Sequence, residues 1–446
     1  MCKRSGDISM IDRDAVITRF PKHGDAFRWS AVAILGMIAF LAAIGQSLPS
    51  ILLQPTKVDL GMSDAEIGFI NGLAVTIIGA IAAFPIGWAA DRYGRKPVLA
   101  LSILTWSGFV LVMALAHSVT GFAVGAVGFN LGDAALLPLI YGIIAATYKG
   151  KRRDLANAML VSLLLVGSFG VYAVGGALLE LFAGHPLAGL APWRLTCLVI
   201  AALGPVVAAL LVLLPDPLDQ NVPRQSAIAS VDEGFLAYLR EHGAFVFLLM
   251  TGISLFYTAF SVFMFWAPAV LERAFAMPAA DANAALGLYL TLASIAAIAA
   301  GLAILPRFAA RWSFAAPMVM VVIGCGLVTV PAVALLFVKD AIQFLIAASA
   351  IAFGMSIAMM LAPGLIQSCS PNRFRSRTIA LFPLFAGFMR ITQPALVGWL
   401  SSTMGETGEV LLSILAVLMI VSFGSSILIL VLLTNRFTKL ARANAD

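Results

Sequence analysis

The sequence predicts an all-α integral membrane protein with twelve transmembrane helices in two six-helix bundles. Three observations carry that expectation. Hydrophobic residues make up 61% of the 446-residue chain and charged residues only 11%, where a soluble domain carries roughly a quarter charged. Mean hydropathy is +1.00. Apolar runs long enough to cross a bilayer core, about 20 residues each, recur along the chain between charged or Pro/Gly-rich breaks. The alternating segments of about ten residues that build a membrane β-barrel are absent.

In chain order, a polar segment of mixed charge, 1–28, precedes the first run and lacks the cleavable apolar core of a secretory signal. It reads as a cytoplasmic tail. Spans follow near 30–54, 65–90, 97–117, 120–147, 156–182 and 193–214, and then near 244–270, 283–305, 314–337, 341–366, 376–400 and 409–434. Between the two sets lies "DPLDQNVPRQSAIASVDEGFLAYLREH", a linker over 216–242. Its end predicts a short amphipathic helix, because Phe235, Leu236 and Leu239 share a face. The expected organisation is a first bundle over 29–215, a second over 243–436 and a short tail over 437–446.

If the spans alternate, every lysine and arginine except Lys57, Arg194, Arg273, Lys339 and the mid-span Arg390 falls on the side of the two termini. Basic residues stay cytoplasmic. Both termini are therefore expected inside, in a bacterial inner (cell) membrane. The net charge of +6 follows from this topology, and no nucleic-acid partner is read from it.

Other chemistries find no foothold in the sequence. Cys2, Cys197, Cys325 and Cys369 form no C-x-x-C pair, and His23, His117, His185 and His242 show no ligand spacing. No metal or cofactor is expected. There is no G-x-x-x-x-G-K-[ST] phosphate loop and no Ser/His/Asp grouping, so the chain is not read as an enzyme.

One polar passage stands out between the second and third spans: "GWAADRYGRKP", residues 87–97. Gly87, Asp91, Arg92, Gly94, Arg95 and Lys96 fit G-x-x-x-D-R-x-G-R-[KR], and in that position they resemble the loop between helices 2 and 3 of the major facilitator superfamily. A degenerate echo, "GLAILPRFAARW" over 301–312, lies between the eighth and ninth spans, with Leu305 at the position of Asp91. Within that superfamily the chain resembles the spinster-like branch. The stretches that carry this likeness are "DLGMSDAEIGFINGLA" (59–74), "GDAALLPLIYGIIAATY" (132–148), "WAPAVLERAFAMP" (266–278) and "PNRFRSRTIALF" (371–382). One departure matters: Gly45 and Gln46 stand where relatives resembling this chain carry an Asp-Arg pair.

The resemblance implies a monomeric secondary transporter working by alternating access, with an amphipathic, lysolipid-like or sphingoid-like cargo, membrane lipid around it and protons as a coupling ion. A proton-coupled exporter of drugs or small organic anions is the alternative. It also implies a conformational gate: Asp91 facing the start of the eleventh span, Gly87 permitting close helix approach, Gly94 a tight turn, and Arg92, Arg95 and Lys96 holding the loop inside.

Ionisable groups at mid-membrane are costly unless paired or solvated. Two qualify, Asp133 in the fourth span and Arg390 in the eleventh. At 100° per residue Asn130, Asp133, Leu137 and Tyr141 share a face. Gly121, Gly125, Gly128 and Gly132 repeat at four-residue intervals, a pattern that lets helices pack closely. For Asp133 the expected role is contact with substrate or proton, and for Arg390 either an anionic headgroup or an ion pair with Asp133. Gln46, Ser50, Asn71, Tyr257, Ser261, Trp266 and Gln393 are weaker polar candidates, each equally able to tie helices together.

Overall fold

Among the described residues, twelve long helices make up the protein. The computed structural model describes residues 29–148, 150–185, 189–213, 233–369, 378 and 381–443. The expected tail 1–28, most of the linker, most of the 371–382 stretch and the side chain of Asp91 lie outside the described residues. We number the helices α1 (Trp29–Ile51), α2 (64–93), α3 (Arg95–Ala114), α4 (Val119–Thr147), α5 (Gly150–Gly184), α6 (Pro192–Leu210), α7 (Glu233–Ala274), α8 (Ala279–Trp312), α9 (Ala316–Ala334), α10 (Ala341–Cys369), α11 (Phe382–Met404) and α12 (Gly408–Ala443). Among the described residues, ten are long and apolar enough to cross a membrane by length and composition; α2 and α11 are the other two. The end of the bundle where α1 starts and α12 finishes is called here the terminal face, and the opposite end the distal face.

Two local features differ from the sequence reading. The amphipathic stretch after the linker is no separate helix, because 233–242 runs without a break into α7. Phe235 and Tyr238 on its apolar face are buried, and the helix continues through Gly243. At the distal end of α1, a short helix, Leu53–Leu60, continues the chain and stops at Gly61 in the left-handed region, φ +67°. α2 then opens with a capping box between Ser63 and Glu66.

Helix pairing repeats. In the first six helices α3 packs on α4 and α6, α1 on α5, and α2 on α4; in the last six α9 packs on α10 and α12, α7 on α11, and α8 on α10. Adding six to each number maps one set onto the other. The contacts between the sets obey the same rule, since α2 meets α11, α5 meets α8, and α1 meets α7. The predicted glycine stripe of α4 packs on α3: a Cβ at Gly125 would meet Met113, one at Gly128 would meet Phe109, and one at Gly132 would lie 2.4 Å from the Ser102 carbonyl oxygen.

Glycines along the seam between halves show how the two sets sit. On α2 a Cβ at Gly68 would lie 2.5 Å from the Pro394 carbonyl oxygen and one at Gly72 2.8 Å from that of Ile391. Further along the same helix, Gly79 and Gly87 would meet nothing within 4 Å. On α11 the contrast recurs between Gly398, 2.2 Å from the Asp64 carbonyl oxygen, and Gly387, which is open. α5 and α8 behave alike, with Gly176 and Gly287 held against Ala280 and Ala173 and Gly170 open. The halves are pressed together at the distal face and apart toward the terminal face. The close approach expected of Gly87 is therefore not made in this conformation.

Prolines create sites for polar ties between helices, one of which crosses that seam. Pro268 has no N–H, which leaves the Met264 carbonyl without its helical donor. Ser50 Oγ of α1 donates to it at 2.9 Å and Tyr172 of α5 at 3.2 Å. Pro205 frees the Ala201 carbonyl in the same way, and Ser107 Oγ of α3 donates to that one. A side-chain hydroxyl on a neighbour thus replaces the missing amide.

These contacts set a test. Gly68→Ala drives a Cβ into backbone and is expected to lengthen spin-label distances between α2 and α11 at the distal face. Gly87→Ala, in open space, is expected to leave both those distances and thermal stability unchanged within about 0.5 kcal/mol.

Candidate functional site

The mid-membrane candidates gather around α4. Asp133 projects toward α1 and α3, and its Oδ1 is buried without a hydrogen-bond partner. The indole Nε1 of Trp106, a fully buried residue, is likewise unpartnered. Both atoms converge on Gly45, where a Cβ would lie 2.9 Å from Asp133 Oδ1 and 2.8 Å from Trp106 Nε1. Gly45 is what allows α1 to close on this pair.

Arg390 is exposed on α11. Among the described residues neither it nor Asp133 is ion-paired, so the pairing weighed from sequence is not made in this conformation. Gln46 on α1 and Tyr141 on α4 are also exposed. Asn130 turns back to its own helix, donating to the Ala126 carbonyl at 2.9 Å, and Asn71 does the same to Ile67 at 3.0 Å from within a π-helical turn, Ile70–Ala74. Tyr257 packs edge-on against Phe382 at 5.8 Å, and Ser261 is partly buried. Trp266 and Gln393 are buried, with Trp266 Nε1 and Gln393 Oε1 unpartnered. They do not join the exposed group.

At the gate loop, Gly94 adopts φ +94° and is the single residue separating α2 from α3, as the tight turn required. Arg92 is exposed and lies over the rings of Trp88 and Tyr93, 5.6 and 5.7 Å from their centroids. Arg95 Nη1 donates to the Gly142 carbonyl at 2.7 Å, fastening the start of α3 to α4. Lys96 beside it is half-buried.

The strongest polar cluster was not foreseen. Asp64, at the distal mouth of α2 and fully buried, accepts from Arg273 Nη1 at 2.6 Å on one oxygen and from Nη2 at 2.9 Å on the other. Ser401 Oγ and Lys57 Nζ also donate to it, each at 2.6 Å. Lys57 reaches Glu406 as well. Glu406 in turn accepts from the Asp64 amide at 2.9 Å and from Ser402 Oγ at 2.7 Å. Gln54 takes the remaining Arg273 Nε–H at 2.7 Å. Lys57, Asp64 and Gln54 belong to the first half, and Arg273, Ser401, Ser402 and Glu406 to the second. Glu406 occupies the left-handed region at φ +54°, a conformation that costs about 1–2 kcal/mol; its carboxylate contacts hold it there. The signal available in sequence was the rarity of basic residues on that side, where Lys57 and Arg273 sit at span ends of opposite halves.

Burial by itself would push the Asp64 carboxyl up, but Arg273, Lys57 and Ser401 outweigh it and hold it below its ordinary value. Glu406 is held low by the same balance, burial raising it while Lys57, the Asp64 amide and Ser402 lower it. For a depressed carboxylate, the stabilisation is present above its ordinary pKa and is lost as pH falls through the lowered one. The distal closure is therefore expected to be insensitive to pH from about 5 to 8, read as constant spin-label distances across the distal face. Asp64→Asn strips the charge that Arg273 answers, leaving that guanidinium without a carboxylate while Lys57 keeps Glu406, a change worth roughly 3–5 kcal/mol. It is expected to lengthen those distances, with Asp59→Asn as the control that does not.

Comparison with known proteins agrees with this architecture. A family model described as Major Facilitator Superfamily matches residues 35–394. A protein of Mycolicibacterium smegmatis named MFS-type efflux pump is 27% identical over 389 residues, covering 86% of this chain and 87% of that one. Protein spinster homolog 3 of Mus musculus is 25% identical over 264 residues, 55% of this chain and 48% of that protein. Among solved structures, the fold is similar to a bacterial homolog of the human lysosomal transporter spinster in an inward-facing, unoccupied conformation, with a TM-score of 0.73 and 19% identity over 95% of this chain and 98% of that one. A D-xylose-proton symporter gives 0.70 at 15% identity over 93% and 99%. At these identities the structural likeness speaks to the fold.

Proposed function

Because the chain belongs to the major facilitator superfamily of membrane transporters, we propose that it moves an amphipathic, lysolipid-like or sphingoid-like substrate by alternating access between its two six-helix halves, 29–215 and 243–436. The observation that carries the mechanism is the asymmetry of the seam. Gly68, Gly72 and Gly398 lock α2 to α11 at the distal face, whereas Gly79, Gly87 and Gly387 are free. With the basic residues and both termini on the cytoplasmic side, this is an inward-open form. Transport requires the reverse: the Asp64 cluster parts, and Gly87 and Asp91 come against α11.

For the cargo, the support is the poverty of charge in the middle of the protein. Arg390 stands exposed opposite Asp133, with Gln46 and Tyr141 as further exposed polar groups on apolar helices. A guanidinium binds phosphate or carboxylate bidentately, and apolar walls suit a hydrocarbon tail. Asp133 binds the coupling proton, since a buried carboxylate without a donor is relieved by protonation. In the cycle we draw, an anionic headgroup reaching Arg390 removes the positive charge that favours ionised Asp133, which links substrate and proton.

A second reading is favoured by the relative named as an efflux pump, whose match spans most of both chains: export of drugs or small organic anions through the same site. Proteoliposomes separate the two. Uptake of lysophosphatidylcholine, without uptake of 4-hydroxybenzoate or cationic dyes, is expected; the opposite pattern would replace the lipid reading by the export reading. Asp133→Asn is expected to retain substrate exchange and lose uphill uptake driven by a pH gradient. Arg390→Ala is expected to weaken anionic cargo by at least about tenfold, the loss of one charge-assisted hydrogen-bonded pair.

A further inference from the structure

Beside the distal latch lies a cavity of about 460 Å³, within the roughly 300–1,000 Å³ range of small-molecule sites. Both halves wall it. Val58, Asp59, Leu179 and Trp193 come from the first, and Glu272 and Ala280 from the second. Its lining is apolar apart from a few groups, of which two are carboxylates, and these differ in one respect. Asp59 is answered from the protein: its Oδ2 accepts from Arg194 Nη2 at 2.8 Å and from Trp193 Nε1 at 3.2 Å. Glu272 is not. Its Oε1 is buried without a hydrogen-bond partner, and the adjacent Arg273 directs its guanidinium to Asp64 and Gln54 instead.

A carboxylate oxygen shielded from water and given no donor is unfavourable by the desolvation of that group. That cost is relieved either by protonation or by a hydrogen-bonding cation, and the rest of the cavity offers mainly hydrocarbon. We propose that it is a binding site, separate from the one at Asp133 and Arg390, for an amphipathic primary amine whose ammonium donates to Glu272 and whose apolar body lies on Val58, Leu179 and Ala280. A neutral analogue leaves the carboxylate uncompensated, and an anion is repelled by it. Because its walls come from both halves, the site is complete only while the distal face is shut. Its occupant accordingly favours the distal-closed state by the difference in its affinity for the two conformations. That consequence rests on the alternating-access reading; the binding itself does not.

The experiment uses the full chain in lipid nanodiscs with radiolabelled octylammonium, corrected by empty nanodiscs. Saturable binding is expected, unaffected by excess octanoate and preserved in Asp133→Asn. Glu272→Gln, which keeps the shape and removes the charge, is expected to weaken it at least about tenfold. Ala183→Trp, on the exposed rim of the cavity, is expected to block it. Spin labels across the terminal face should shift toward the longer distance as octylammonium is added. Unchanged affinity in both variants, or competition by octanoate equal to that by octylammonium, would overturn the proposed site; binding without the shift would overturn its coupling to the distal-closed state. A failure of lysolipid uptake in proteoliposomes leaves this result untouched, since it reads the central site alone.

Discussion

Asp64 has no exposed surface, and a carboxylate in that place is tolerable only while Arg273, Lys57 and Ser401 all reach it. The same condition brings the two halves together, because two of those three donors lie in the opposite half. Desolvating the acid is costly, and the bidentate guanidinium and a hydroxyl repay it. Once the cluster is in place, α2 lies so close to α11 that only glycine fits at positions 68, 72 and 398. A side chain at any of these would hold the helices apart and leave the acid unanswered. Charge and close packing are therefore one constraint, expressed at the distal mouth.

The backbone accounting follows the same logic away from the latch. In hydrocarbon a carbonyl without a donor has no water to turn to. Pro268 and Pro205 each create such a carbonyl, and Ser50, Tyr172 and Ser107 satisfy them from other helices. The Pro205 tie lies within one half. The Pro268 tie crosses between halves, so it must be remade each time they move. Its partners are hydroxyls, which are small, rotate freely and can bond elsewhere when released.

Much of the architecture was legible because membrane insertion writes itself into composition. Spans, their count and the α4 glycine stripe all follow from what lipid tolerates, and the structure places α4 on α3 through that stripe as expected. The Gly94 turn was legible for a different reason: a single residue between two helices needs a positive φ. The distal latch was not, since Asp64 and Glu406 look like ordinary loop acids until the fold sets them 342 positions apart in sequence and one hydrogen bond apart in space. Its burial is a property of the assembled halves. The extent of α7 was missed for a related reason, as the amphipathic pattern over 233–242 reports which face is covered and does not report where the helix ends.

At the centre, the departure at Gly45 reshapes the chemistry inherited from the resemblance. Relatives of that kind place an acid and a base on helix 1; here that position is a glycine pressed against Asp133 Oδ1 and Trp106 Nε1. Any side chain there would displace one of the two. On the function proposed above, what replaces the helix 1 pair is a relation between halves, Asp133 on α4 and Arg390 on α11, whose separation would change as the seam opens and closes. A proton site built from two groups in one half would titrate much the same in both conformations. One whose counter-charge rides on the other half is coupled to the movement by its position, and this makes the loss of the helix 1 pair compatible with proton-driven transport.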